Sequence, residues 1–193
     1  MLRIIETGLL EKIVSDQRPL IVVYEALIQH IERASGKLIW DAKVPRYRLS
    51  AAGIAEYAGT FADDPHLKKN LEFSKSLSNP GTQLLAKVGM SKLIGANRTQ
   101  EDTELFIQMV VQANNLIEKK YNGKLYVIVW PFEDKDADKV INSLKQNGID
   151  VMIIDKICSK YNDHMKNYLI EVDHHPTKFA NDRIAHYLMD YIK

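Results

Sequence analysis

The stretch that decides the fold runs from Leu125 to Ile154, LYVIVWPFEDKDADKVINSLKQNGIDVMII. Leu125 to Trp130 is apolar without a break and rich in β-branched and aromatic side chains, the pattern of a strand buried on both faces of a parallel sheet. A helix is expected from about Asp136 to Gln146, ending at Asn147-Gly148, a pair suited to the left-handed turn that closes helices. Val151-Met152-Ile153-Ile154 then forms a second apolar run. Strand, helix and strand in this order make a parallel unit with a right-handed crossover.

Upstream, Leu105, Phe106, Met109, Val110, Ala113, Leu116 and Ile117 recur at helical spacing behind a capping box of Thr99 and Asp102, so a helix leads directly into Leu125. Leu20-Ile21-Val22-Val23-Tyr24 reads as a further strand of the same sheet. Downstream, Thr177 is placed to cap a helix with the stripe Ala180, Ile184, Leu188 and Ile192, and Ala185 and Met189 beside it. Leu2, Ile5, Leu9 and Ile13, with Ile4, form a helical stripe that starts at Met1 with no capping residue before it, as if the chain began inside an element. This alternation predicts an α/β protein. Lys37–Ser50 (KLIWDAKVPRYRLS) is expected to add an extended hairpin. Residues 58–101, punctuated by Asp64-Pro65, Asn79-Pro80-Gly81, Gly89 and Gly95, are expected to form an irregular helical insertion covering the sheet. No linker divides residues 1–193, which are expected to form a single domain.

Composition narrows the function. The chain has 193 residues, 46% hydrophobic and 26% charged, which is globular in kind and long enough to bury about 70% of the unfolded surface. Its net charge of +1 offers no excess for a polyanion, so nucleic acid is not an expected partner. No apolar stretch is long enough to span a bilayer, and Glu6 and Glu11 interrupt the first residues in a way no secretory leader does. Cys158 stands alone, so neither an intramolecular disulfide nor a cysteine metal site is expected.

In an open parallel sheet, ligands bind outside the carboxyl ends of the strands. Glu25 to Arg33 follows the first apolar run, Pro131-Phe132-Glu133-Asp134 the second, and Glu171-Val172-Asp173-His174-His175-Pro176-Thr177 comes beyond the third. A histidine can take a proton from a hydroxyl near neutral pH when a carboxylate holds its other nitrogen. Asp173 and His175 supply that pair, and Pro176 with the helix cap at Thr177 would fix the imidazole at the sheet edge. The same residues also read as a polar helix-entry turn. His30 and Arg33 share a helix face and could orient a substrate oxygen, or simply face solvent. Trp130, before Pro131, could line a pocket or pack at a strand end. Asp163, His164, Asp173, His174 and His175 lack the spacing of a helical zinc pair, and neither a metal nor another cofactor is expected.

Asp173-His174-His175-Pro176 followed by the terminal helix TKFANDRIAHYLMDYI resembles the last block of the SGNH (GDSL-like) hydrolase superfamily. VVYEALIQHIERASG is similar to its third block in some members, and LYVIVWPFED to its penultimate strand. The resemblance covers most of the chain in order, but only the final block is specific. It implies a three-layer α/β/α sandwich with a parallel, flavodoxin-like sheet, and hydrolysis of small-molecule esters with Asp173 and His175 completing a serine triad. Departures accompany it. Asp173 is one position closer to His175 than in the family. Tyr24-Glu25-Ala26-Leu27 stands where a Gly-x-Asn-Asp would be, and the oxyanion-hole glycine has no counterpart. No Gly-Asp-Ser-like nucleophile block is present, and Ser15 follows a helical stripe rather than a strand. The expected sheet is therefore incomplete at its N-terminal strand, and the nucleophilic serine is not identifiable in this chain. A sheet lacking that strand exposes ladder edges, so a homo-oligomer covering an open edge is expected. The alternative is a catalytically inactive α/β binding or assembly module that has lost the nucleophile.

Overall fold

The computed structural model describes residues 1–14, 19–37, 43–65, 98–130, 134–158, 165–170 and 175–192. Its main sheet has three parallel strands, β1 (Ile21–Leu27), β4 (Lys124–Trp130) and β5 (Asp150–Ile153), with β4 in the middle. A separate antiparallel pair is formed by β2 (Pro45–Leu49) and β3 (Ala55–Thr60). The helices are α1 (Leu2–Glu6), α2 (His30–Ala34), α3 (Gln100–Tyr121), α4 (Ala137–Gln146), α5 (Ile154–Ile157), α6 (Met165–Tyr168) and α7 (Lys178–Tyr191). The protein is thus of mixed α/β type, as the alternating pattern predicts.

The central strand shows why an unbroken apolar run was needed. Side chains alternate across a strand, and both sides of β4 are covered. Leu125, Val127 and Val129 enter a core shared with Phe106, Val110 and Ile117 of α3 and Val140 and Leu144 of α4. Tyr126, Ile128 and Trp130 enter a second core with Ile154 and Ile157 of α5 and Ala180 and Ile184 of α7.

β1 is longer than its apolar run. Ala26 packs into the first core and Leu27 into the second, while Glu25, just before them, is in register with Ile128. Burial pushes the Glu25 carboxyl up, and the indole N–H of Trp130 offsets part of that cost. Nor is β1 buried on both faces, since Ile21 is 48% and Val23 39% exposed. Among the described residues only β4 pairs with β1.

α3 begins as its capping box predicts. The Thr99 hydroxyl accepts from the Asp102 N–H, and the Asp102 carboxylate accepts from the Thr99 N–H at 2.5 Å. It ends at Asn122, held left-handed at φ 46°, followed by Gly123. A Cβ on Gly123 would lie 2.5 Å from the Leu20 carbonyl oxygen, so only glycine lets α3 turn this tightly into β4 beside β1.

The N-terminal stripe does not continue as one helix. At Gly8, φ is 70°, and the Leu9 N–H donates back to the Ile4 carbonyl at 3.0 Å, closing α1 after Glu6. Leu2 and Ile5 are buried, whereas Leu9 and Ile13 are exposed. The hairpin also differs from the expected one. Pro45–Leu49 pairs forward with Ala55–Thr60, with Tyr47 opposite Tyr57, and residues 38–42 lie outside the described set. Tyr47 donates its hydroxyl to Glu6 at 2.5 Å, tying the hairpin to α1. The expected insertion at 58–101 opens with the end of β3 and a short 3₁₀ turn at Phe61–Asp63; residues 66–97 lie outside the described set. Thr177 caps α7 by accepting from the Ala180 N–H at 3.2 Å, but the apolar stripe is narrower than its sequence implies, with Met189 exposed.

Candidate functional site

The elements that follow the strands are gathered by one arginine. Arg98, just before the Thr99 cap, is 3% exposed at its side chain. Its Nε and Nη2 both donate to Oε1 of Glu32 on α2, the Nε contact being 3.0 Å. Its Nη1 donates to Asp134 at 2.6 Å and to Asp136 at 3.1 Å, in the segment between β4 and α4. Asp134 also accepts from the Asp136 N–H at 2.8 Å. Burial alone would lower the guanidinium's pKa, but its hydrogen bonds to Asp134, Glu32 and Asp136 outweigh it and hold the cation more firmly than usual. Burial leaves Glu32 raised despite Arg98. This cluster fastens the start of α3 to α2 and to the chain after β4.

α2, thus fastened, forms one wall of a cleft of about 380 Å³. Tyr24 of β1 and His30 and Arg33 of α2 make its polar part. The Tyr24 hydroxyl lies 2.9 Å from His30 Nδ1, and the two rings stack with centroids 5.8 Å apart. Phe106, Met109 and Val110 of α3 face them, with Val44, Pro45 and Phe61 from the hairpin side. Burial, then the positive charge of Arg33, lower the His30 pKa to about 4. The imidazole is therefore neutral at pH 7, with one donor and one acceptor nitrogen. Burial pushes the Tyr24 hydroxyl up, so it remains protonated. Arg33 stays a cation although burial lowers its pKa.

His30 and Arg33 thus meet in one cleft, as their spacing on a shared helix face allows. His175 is exposed and directly precedes the α7 cap. Its carbonyl accepts from the Ile170 N–H at 2.8 Å, and the Thr177 N–H donates to the Tyr168 carbonyl at 2.8 Å, so the backbone on both sides is held against α6. It does not line the cleft. Asp173 lies outside the described residues, as do Ser15, Asp163, His164 and His174. Trp130 is fully buried in the second core and lines neither this cleft nor the smaller one of about 240 Å³ beside β1. Among the described residues, no three His, Cys, Asp or Glu side chains gather as a metal-holding group. No described helix is long and apolar enough to cross a membrane.

Two participants escaped the sequence reading. Tyr24 reads as the last apolar residue of a strand, although its hydroxyl is what engages His30. Arg98 carries no local signal, since its partners are 66, 36 and 38 residues away in sequence. Chemically, the cleft offers a guanidinium, a neutral imidazole and a phenol against an apolar wall, and no Ser, Thr or Cys lines it among the described residues. The chain matches no protein-family model, no curated protein and no solved structure.

Proposed function

We propose that this chain is an SGNH-type ester hydrolase built on a flavodoxin-like three-layer sandwich, acting on a small-molecule ester. In this reading His175 is the general base, Asp173 orients it, and His30 and Arg33 hold substrate oxygens. A serine hydroxyl gives its proton to His175 as its oxygen attacks the ester carbonyl. The alcohol leaves, and water then releases the acid from the acyl-enzyme. The serine is supplied from outside the recognisable sequence. The observation that carries the reading is an apolar cleft lined by His30 and Arg33, from the chain after the carboxyl end of β1 in a parallel sheet. The side-by-side order β1, β4, β5 of parallel strands also agrees with part of a flavodoxin-like sheet.

Release of p-nitrophenolate from p-nitrophenyl acetate tests it. The reading predicts turnover that falls at least about 100-fold in His175→Ala. Equal background in both proteins contradicts it and favours the second reading, an inactive binding or assembly module. That alternative is supported by the absence of a Ser, Thr or Cys among the described cleft residues. Either way, we propose that a second copy of the chain covers the edge of β1, whose only partner among the described residues is β4; a monomer in light scattering at micromolar concentration would contradict this.

A further inference from the structure

We propose that the cleft between α2, α3 and the hairpin binds an uncharged, apolar molecule by its carbonyl oxygen, which accepts the Nε2–H of His30, and that Tyr24 is the positioning residue that keeps the proton on that nitrogen. This rests on the reading of His30 as a holder of substrate oxygens and names the atom and the ligand class; binding itself requires no turnover.

The argument is one of proton placement. Tyr24 lies on β1, held by its ladder to β4, and His30 opens α2, which Glu32 and Arg98 fasten to the start of α3. The Tyr24 hydroxyl is 2.9 Å from His30 Nδ1, an ordinary hydrogen-bond length, and the two rings stack. A part-buried phenol has one proton to place, and among the described residues His30 Nδ1 is the partner its hydroxyl meets. With Nδ1 accepting, the proton of a neutral imidazole sits on Nε2. Burial keeps the ring neutral at pH 7, so this nitrogen brings a donor without a charge. His30 is half-buried and lines the cleft, which leaves Nε2 open to it. Phe61, Phe106 and Met109 make the rest of the wall apolar, and about 380 Å³ is a volume suited to a small ligand. A carbonyl oxygen answers such a donor, whereas an alcohol brings a proton of its own that no carboxylate in the described lining accepts. A charged group costs more to strip of water here than a carbonyl does. Arg33 is not drawn on, because it has interactions of its own within the protein.

Two measurements on the full chain test the proposal. In proton–nitrogen NMR at pH 7 the His30 ring is expected to carry its proton on Nε2. That proton should move downfield with acetophenone, as a hydrogen-bonded proton does, and not with ethylbenzene, which has nearly the same shape without the oxygen. Tyr24→Phe should let the proton spread to Nδ1. In isothermal titration, the ratio of acetophenone to ethylbenzene affinity should fall roughly three- to tenfold in His30→Phe; circular dichroism checks that each variant is folded. A proton on Nδ1 in the unaltered protein overturns the proposal, as does an Nε2 proton that acetophenone leaves unmoved or an unchanged ratio in folded His30→Phe. A lone Nε2–H form in folded Tyr24→Phe overturns the role of Tyr24. The two readings fail separately. Acetophenone contact at Nε2 without His175-dependent ester turnover sinks only the hydrolase, and turnover without that contact sinks only this site.

Discussion

Arg98 and Arg33 occupy the same end of the molecule in opposite company. Arg98 is fully enclosed and divides its donors among Glu32, Asp134 and Asp136, carboxylates from two further segments of chain. Arg33, on the same short helix as Glu32, opens onto a cleft whose described lining contains no carboxylate. A buried cation surrounded by its own acids is a fastening, with its charge already answered. Arg33 is instead half-buried and lines an apolar hollow. The contrast separates a cation enclosed by the fold's own carboxylates from one that lines a cleft.

The sharpest way to break the comparison is to remove each cation in turn. Arg98→Met leaves buried Glu32 and its neighbours Asp134 and Asp136 unanswered, and is expected to cost roughly 3–5 kcal/mol in urea denaturation. Arg33→Gln, measured the same way, is expected to change stability by no more than about 1 kcal/mol. Equal costs would mean that both arginines are fastenings.

A smaller effect follows from His30. Its pKa in the fold, about 4, lies below its ordinary value of 6.5. Between those values the unfolded chain binds more protons, so stability rises with pH across this window and is lost as pH falls from about 6.5 to about 4. The loss amounts to no more than about 3 kcal/mol. Glu25 and Glu32, raised by burial, work in the other direction at acid pH. The comparison that isolates His30 is therefore the difference between the unaltered chain and His30→Gln, whose stability should fall less steeply over this window. Parallel curves would show that His30 is not shielded from water.

The elements that were legible in the sequence are those whose cause is local. The apolar run at Leu125–Trp130 marks a strand covered on both faces, and Thr99 with Asp102, like Thr177, marks a helix start by hydrogen bonds within one turn. What escaped depends on distant partners. β1 continues through Glu25 because its ladder to β4 runs on, pairing Glu25 with Ile128 and Leu27 with Trp130. Leu9 and Ile13 kept the spacing of a buried stripe, but the left-handed turn at Gly8 takes them off the helix. The candidate site divides in the same way. His30 and Arg33 could be paired by helical spacing alone, whereas Tyr24 and the Arg98 cluster required the strands and loops to be brought together. The partnership of Asp173 with His175 lies outside the described residues.

The most direct test of a poorly solvated cleft is an NMR titration of the His30 ring. The account predicts a midpoint near 4, in line with a pKa depressed mainly by burial. A midpoint near 6.5 would contradict it.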